Sequence, residues 1–145
     1  MESLTMNQDH IQIPRKITNQ LLHVAQISPE LEICGLIGRK IGLPSSCYPV
    51  NNSAEHPRQR FQLDAAGQIA AMAKMRDRGE ELFAIYHSHP SAPATPSITD
   101  LEQAAYPDAL YLIISLDTQG VLEMRGFKIA EKVAREMVLS LGDEG

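Results

Sequence analysis

The sequence predicts an α/β fold, a mixed β-sheet sandwiched between helices. Three observations carry this. Two short apolar runs rich in β-branched and aromatic residues, residues 82–86 and 111–115, read as buried strands. Two longer stretches, starting near Arg15 and after Asp64, carry helix periodicity or helix caps. Turn residues fold strands back at two places, near residues 41–46 and 117–120. The order is helix, hairpin, helix, strand, short helix, hairpin, helix, and such alternation builds a sheet covered by helices.

Taken in order, residues 1–12 are polar with scattered apolar residues and read as a flexible arm. The domain proper spans 13–141, and 142–145 read as a tail. Pro14 suits the first turn of a helix. Ile13, Ile17, Leu21, Val24 and Ser28 recur at spacings of three and four, so this helix is amphipathic and runs from about Arg15 to Ile27. Ser28-Pro29 ends it. Glu32-Ile33-Cys34-Gly35-Leu36-Ile37-Gly38-Arg39 reads as a strand with Gly35 as a close-packing point. Residues 41–46 are turn material, and Cys47 to Val50 return as the second strand of a hairpin. Asp64 suits a helix N-cap, with Ile69, Met72, Ala73 and Arg76 on the inner side and Arg78-Gly79 as basic end and C′ glycine. After the central strand and a Pro-rich loop, Ser97 to Ala105 can form a short helix. Tyr111 to Ser115, a turn at Asp117-Thr118-Gln119-Gly120, and Val121 to Phe127 make the second hairpin. Ile129, Val133, Met137 and Leu141 stand four apart and predict a C-terminal helix, with Glu131 and Arg135 as an i,i+4 pair.

Composition excludes several classes. The formal charge of −5 offers no electrostatic footprint for nucleic acid or anionic lipid. No apolar run approaches the ~20 residues that span a bilayer. The first twelve residues lack the basic-then-apolar order of a signal peptide, so the expected compartment is the cytoplasm. In that compartment Cys34 and Cys47, on adjacent strands, are expected as free thiols. Exposed sheet edges leave both a monomer and a homodimer open.

The chemistry concentrates in His87-Ser88-His89-Pro90 and the loop leading to Asp100. If the strand through Tyr86 continues to His89, the pleat puts both histidines on one face, about 6.6 Å apart. Two imidazoles and one carboxylate are the three protein ligands of a catalytic zinc, whose fourth position is left to water. A structural site would want a fourth protein ligand, usually cysteine, and none is near. Hydrolysis at such an ion also needs a carboxylate to carry a proton. Glu32, a charge at the start of an apolar strand, is the best candidate, and Glu30, in a solvent-facing turn, the weaker one. Glu32 could equally pair with Arg39 or Arg15. Ser97 could donate to a developing oxyanion. Ser97-x-x-Asp100 also matches a helix capping box, and the two readings are compatible. His23 and His56 are expected outside the site.

The composite pattern Glu32 … His87-x-His89-Pro90-x(5)-Pro96-Ser97-x-x-Asp100 resembles the JAMM, or MPN-plus, motif of the JAB/MPN metallopeptidases. Glu32-Ile33-Cys34-Gly35-Leu36-Ile37-Gly38 looks like the strand in which that family carries its glutamate. Arg60-Phe61-Gln62-Leu63-Asp64 and Gly79-Glu80-Glu81-Leu82 look like its short prokaryotic members. The resemblance implies a cytidine-deaminase-like architecture and one Zn²⁺ held by His87, His89 and Asp100. It implies Glu32 as general base and acid, and Ser97 as oxyanion stabiliser. The reaction implied is hydrolysis of a peptide or isopeptide bond after the C-terminal Gly-Gly of a ubiquitin-like protein. The chain lacks the insertions of eukaryotic deubiquitinating relatives, so a bacterial sulfur carrier is the expected partner. The alternatives are a non-catalytic MPN-type scaffold and a zinc amidase acting on small or cell-wall peptides.

Overall fold

A computed structural model describes residues 10–117 and 122–141. Among these, seven strands form one sheet: β1 (His10–Ile13), β2 (Cys34–Lys40), β3 (Leu43–Val50), β4 (Glu81–His89), β5 (Leu110–Ser115), β6 (Glu123–Ala130) and β7 (Val133–Leu141). Three helices accompany them: α1 (Arg15–Ile27), α2 (Ala65–Asp77) and α3 (Ile98–Gln103). The strand order is β1-β7-β6-β5-β4-β2-β3. The β1/β7 and β4/β5 pairs are parallel and the others antiparallel, so the sheet is mixed, as the sequence predicts. No helix among the described residues is long and apolar enough to cross a membrane.

The two faces of the sheet bury separate cores. On one face, Ile17, Leu21 and Ala25 of α1 pack with Ala84, Tyr86, Leu112 and Ile114. Ile17 and Leu21 are almost wholly buried, and each such side chain contributes about 1.5–3 kcal/mol. On the other face, Ala71 and Met75 of α2 pack with Leu36, Ile85, Tyr111 and Ile113. Side chains alternate along β4, so Ala84 and Tyr86 face α1 while Ile85 faces α2. The same alternation carries His87 and His89 to the α2 side. Close packing reaches the backbone at Gly35, where a Cβ would overlap the Tyr86 hydroxyl and the Tyr48 carbonyl oxygen.

Several local expectations hold. Helix α1 has the expected bounds, with Pro14 as its N-cap residue. The Asp64 carboxylate caps α2 by accepting from the Gly67 N–H at 3.0 Å, and Gly79 follows at φ 73°. Both thiols are free. Cys34 lies opposite Val50 and Cys47 opposite Ile37, so the two sit three positions apart along the ladder, too far for a disulfide. Strand β3, which carries Cys47, joins β2 by a tight turn at Ile41 (φ 52°) and Gly42 (φ 78°), and it therefore begins at Leu43, earlier than expected.

Three expectations are corrected. Ile69, expected inside α2, is 70% exposed, and Ala71 and Met75 are buried instead. Alanines and methionines occur all round this helix, so spacing could not choose a face, and the sheet took the small and pliable residues. The C-terminal helix is absent, and its place is taken by β7. A spacing of four is even, so Val133, Met137 and Leu141 share a face of a strand as well as of a helix. Glu131 (φ 53°) and Lys132 (φ 65°) form a two-residue turn, and Ala130 pairs with Val133 across it. Arg135 then lies opposite Lys128 rather than one helical turn from Glu131. The third correction follows from the second. With β7 extended, its outer edge takes up residues 10–12, expected in the arm, as a parallel strand that pairs His10 with Val138. The remainder of the arm, residues 118–120 of the expected turn, and the tail lie outside the described residues.

At the end of the sheet remote from the histidines, Glu80 is buried. Its carboxylate accepts from the hydroxyls of Ser45 (2.5 Å), Ser46 (2.9 Å) and Tyr48, and a Cβ on Gly38 would come within 2.8 Å of it. Burial pushes its pKa up, but these bonds and the charge of Arg78 outweigh burial and hold it below the ordinary value of 4.5. A folded pKa below the unfolded one stabilises the fold above about pH 4.5 and loses that contribution as pH falls further. Glu80→Gln is expected to cost about 1–3 kcal/mol at pH 7. Its stability should also fall less steeply than the wild type's below pH 4.5 in urea unfolding measured at a series of pH values.

Candidate metal centre

The centre forms where β4 ends. Strand β4 lies between β2 and β5, so its last residues are anchored on both sides. His87 and His89 are 1% and 3% exposed, and their Nε2 atoms stand 3.1 Å apart. Asp100 comes from the first turn of α3. The capping box sets its rotamer: Ser97 N–H donates to Asp100 Oδ2 at 2.9 Å, and Asp100 N–H donates to Ser97 Oγ at 3.0 Å. That Oδ2 lies 3.1 Å from His87 Nε2 and 3.2 Å from His89 Nε2. The Pro-rich loop between them is tied down too. His89 Nδ1 donates to the Pro93 carbonyl at 2.7 Å, and Ser115 Oγ donates to the Ala92 carbonyl at 2.7 Å.

Two nitrogens and one oxygen thus make a nearly equilateral triangle. Bonds of ~2.0–2.1 Å in a tetrahedral site require ligand atoms about 3.3 Å apart, close to these edges. The donor chemistry agrees. With Nδ1–H given to Pro93, His89 shares its Nε2 proton with the Asp100 carboxylate, and loss of that proton turns a lone pair inward against it. Acceptor atoms crowded in this way are relieved by a cation. The residues present therefore fit a metal ion.

Glu32 stands beside the triangle, 4% exposed. One of its carboxylate oxygens and the ring nitrogens of His87 and His89 all lie within 4.8 Å of one another. Glu32 Oε1 is buried with no hydrogen-bond partner among the described residues. Burial is the main cause that pushes its pKa up to about 7, with His89 and Arg60 opposing and Asp100 reinforcing. Arg39, an alternative partner read from the sequence, pairs with Glu81 at 3.7 Å, and Glu30 is exposed. For Asp100, burial pushes upward, but hydrogen bonds from His87 and His89 prevail and hold it well below the usual carboxylate range. Burial holds His87 below its ordinary value against the pull of Asp100.

His23 and His56 are exposed and apart from this cluster. Sequence reasoning did not single out Phe61 for the site. Its ring stacks on His87 with centroids 4.2 Å apart. Two open grooves adjoin the centre. One, about 560 Å³, is lined by Leu31, Glu32, Cys34, Val50, Asn52 and Pro57. The other, about 480 Å³, is lined by Phe61, Leu63, Gln68, Gln103, Tyr106 and Tyr111.

Comparison with known proteins places this geometry in context. Residues 14–128 match the family described as prokaryotic homologs of the JAB domain. A CysO-cysteine peptidase of Mycobacterium bovis is 30% identical over 122 residues, 83% of this chain and 82% of that protein. A desampylase of Haloferax volcanii is 33% identical over 91 residues, 61% of this chain and 66% of that protein. The solution structure of a protein from Desulfitobacterium hafniense superposes with a TM-score of 0.81 at 32% identity, covering 92% of this chain and 94% of that one.

Proposed function

The chain belongs to the prokaryotic JAB-domain family, and from that premise we propose that it is a zinc-dependent hydrolase cleaving a peptide or isopeptide bond after the tail of a ubiquitin-like protein. The observation that carries this reading is the triangle of His87, His89 and Asp100 with the buried Glu32 beside it, whose Oε1 has no hydrogen-bond partner among the described residues. His87, His89 and Asp100 are the residues that would hold the ion, with water as its fourth ligand. When bound, zinc supplies a Lewis acid that polarises a carbonyl and lowers the pKa of a water toward ~7.

Glu32 takes the proton of the attacking water and passes it to the leaving nitrogen. Burial raises the pKa of this carboxylate to about 7 in the metal-free site, the charge of a bound cation would draw it back down, and the balance of the two sets its readiness to take and give a proton. Ser97 Oγ accepts the Asp100 N–H, which leaves its own proton free to donate to the oxyanion. The two grooves give room to the chain on either side of the scissile bond. The names of the relatives, desampylase and CysO-cysteine peptidase, support a small ubiquitin-like partner, and we take a Gly-Gly-ended sulfur carrier as the expected one.

The test is metal analysis joined to a cleavage assay. A fusion of a Gly-Gly-ended ubiquitin-like carrier to a short peptide should be cut by protein holding about one zinc, and chelation should stop the reaction until zinc is restored. Protein that takes up no zinc and leaves the fusion intact would sink the reading. Ser97→Ala is expected to lower kcat on the order of 10²-fold with metal content unchanged. Loss of the cap should also cost about 1 kcal/mol in unfolding measurements. Unchanged kcat would leave Ser97 as a helix cap alone.

A further inference from the structure

We propose that Ser88, between the two histidines, is a positioning residue that sets Glu32 against the metal ligands. The inference rests on the hydrolytic reading of Glu32. Ser88 is fully buried, and alternation along β4 turns its side chain to the face opposite His87 and His89. It therefore cannot touch substrate or ion. Its polar contacts all go to the segment carrying Glu32. Ser88 N–H donates to the Ile33 carbonyl at 3.0 Å. Ser88 Oγ accepts from Ile33 N–H at 3.0 Å and donates to the Leu31 carbonyl at 3.4 Å. One hydroxyl thus grips the residues on either side of Glu32.

The geometry departs from an ordinary ladder. Strands β2 and β4 pair Cys34 with His87, so the next antiparallel pair is Ile33 with Ser88. Two residues facing in this way would exchange both N–H···O=C bonds. Here only one is made between backbones. The hydroxyl of Ser88 takes the Ile33 N–H in place of its own carbonyl, and the ladder ends there, with β2 beginning at Cys34. Glu32 leaves the ladder at this point. Its backbone bonds go to the loop instead, N–H to the Pro57 carbonyl at 2.8 Å and carbonyl from Asn52 Nδ2 at 2.9 Å. Without the hydroxyl, Ile33 N–H either closes onto the Ser88 carbonyl and drags Glu32 with it, or stays partly buried and unpaired. The first outcome moves the carboxylate relative to His87 and His89, and the second removes a bond that holds its segment in register.

The test compares Ser88→Ala and Ser88→Thr with the wild type on the zinc-loaded protein, using the Gly-Gly carrier fusion as substrate. Ser88→Ala should keep the wild type's zinc content and the same visible spectrum when cobalt replaces zinc, because the ligands are untouched. Its kcat should fall about 10–100-fold with KM little changed, the scale of a misplacement near 1 Å. Ser88→Thr, which retains the hydroxyl, should restore most of kcat. If Ser88→Ala does not fold, the near-isosteric Ser88→Cys, a much weaker hydrogen-bonding group, takes its place with the same expected loss. Crystal structures read the inference independently of activity, and the Glu32 carboxylate should shift in the Ala or Cys variant and return in Thr. An unshifted Glu32, or Ala and Thr variants equally impaired, would overturn the positioning role. A wild type that cleaves nothing while Glu32 shifts as expected would count against the hydrolytic reading alone.

Discussion

Glu32→Gln is expected to abolish nearly all hydrolysis while leaving the metal in place. The amide keeps the size of the side chain and loses the ability to take or give a proton, so the loss is that of general acid–base catalysis, about 10²–10⁴-fold in kcat. Steady-state cleavage of the carrier fusion measures the rate, and metal analysis of the same sample measures occupancy. The second reading is the discriminating one. Glu32 also lies within ligand reach of His87 and His89, so two carboxylates compete for the third position at the ion. Retained metal with lost rate assigns Glu32 to proton transfer. Lost metal would make it a ligand and overturn the role proposed here.

Asp100→Ala is expected to produce the complementary result, loss of the metal and of activity with it. Asp100 Oδ2 sits 3.1–3.2 Å from both imidazole nitrogens, and nothing else among the described residues approaches both so closely. Loss of an outer partner of a ligand costs ~10–100-fold in affinity, and loss of the ligand itself should cost more. Competition with a chromophoric chelator reads the affinity directly. The same substitution removes half of the capping box at Ser97, so Asp100→Asn is the cleaner companion. Asn keeps an oxygen for the Ser97 N–H and removes the charge. If Asp100→Asn binds zinc as tightly as the wild type, the carboxylate is not a ligand. Wild-type protein should also melt at a higher temperature with saturating zinc than with chelator, because an ion bound only by the folded state stabilises it. Asp100→Ala should show no such difference.

The residues brought together at the centre were readable because their signals are local. His87 and His89 are two apart on a strand, and a period of two puts them on one face whatever else the chain does. Ser97 and Asp100 are three apart at a helix start, a spacing that closes a capping box by itself. Glu32 was marked by a charge at the head of an apolar run, a placement that left pairing with Arg39 or Arg15 equally open, and only the family resemblance chose between the two. Ser88 and Asn52 were not legible in this way. A serine inside a strand and an asparagine after one are ordinary, and their importance lies in hydrogen bonds to residues far along the chain.

The sequence by itself determined the elements whose periodicity or caps leave one solution: α1, the cap of α2, β4 with its two histidines, β5 and the capped α3. Tertiary structure decided the rest, for physical reasons that differ from place to place. Residues 133–141 carry a spacing that helix and strand both satisfy, and the free edge of β6 settled it as a strand. That strand's own outer edge then ordered residues 10–12. In α2, where small and flexible residues cover every side, the sheet chose the buried face. The approach of Glu32 to His87 and His89 belongs here as well. Local sequence extends the strand back to Glu32, but β2 begins at Cys34, and only its pairing with β4 carries a carboxylate more than fifty residues earlier to within reach of the histidines.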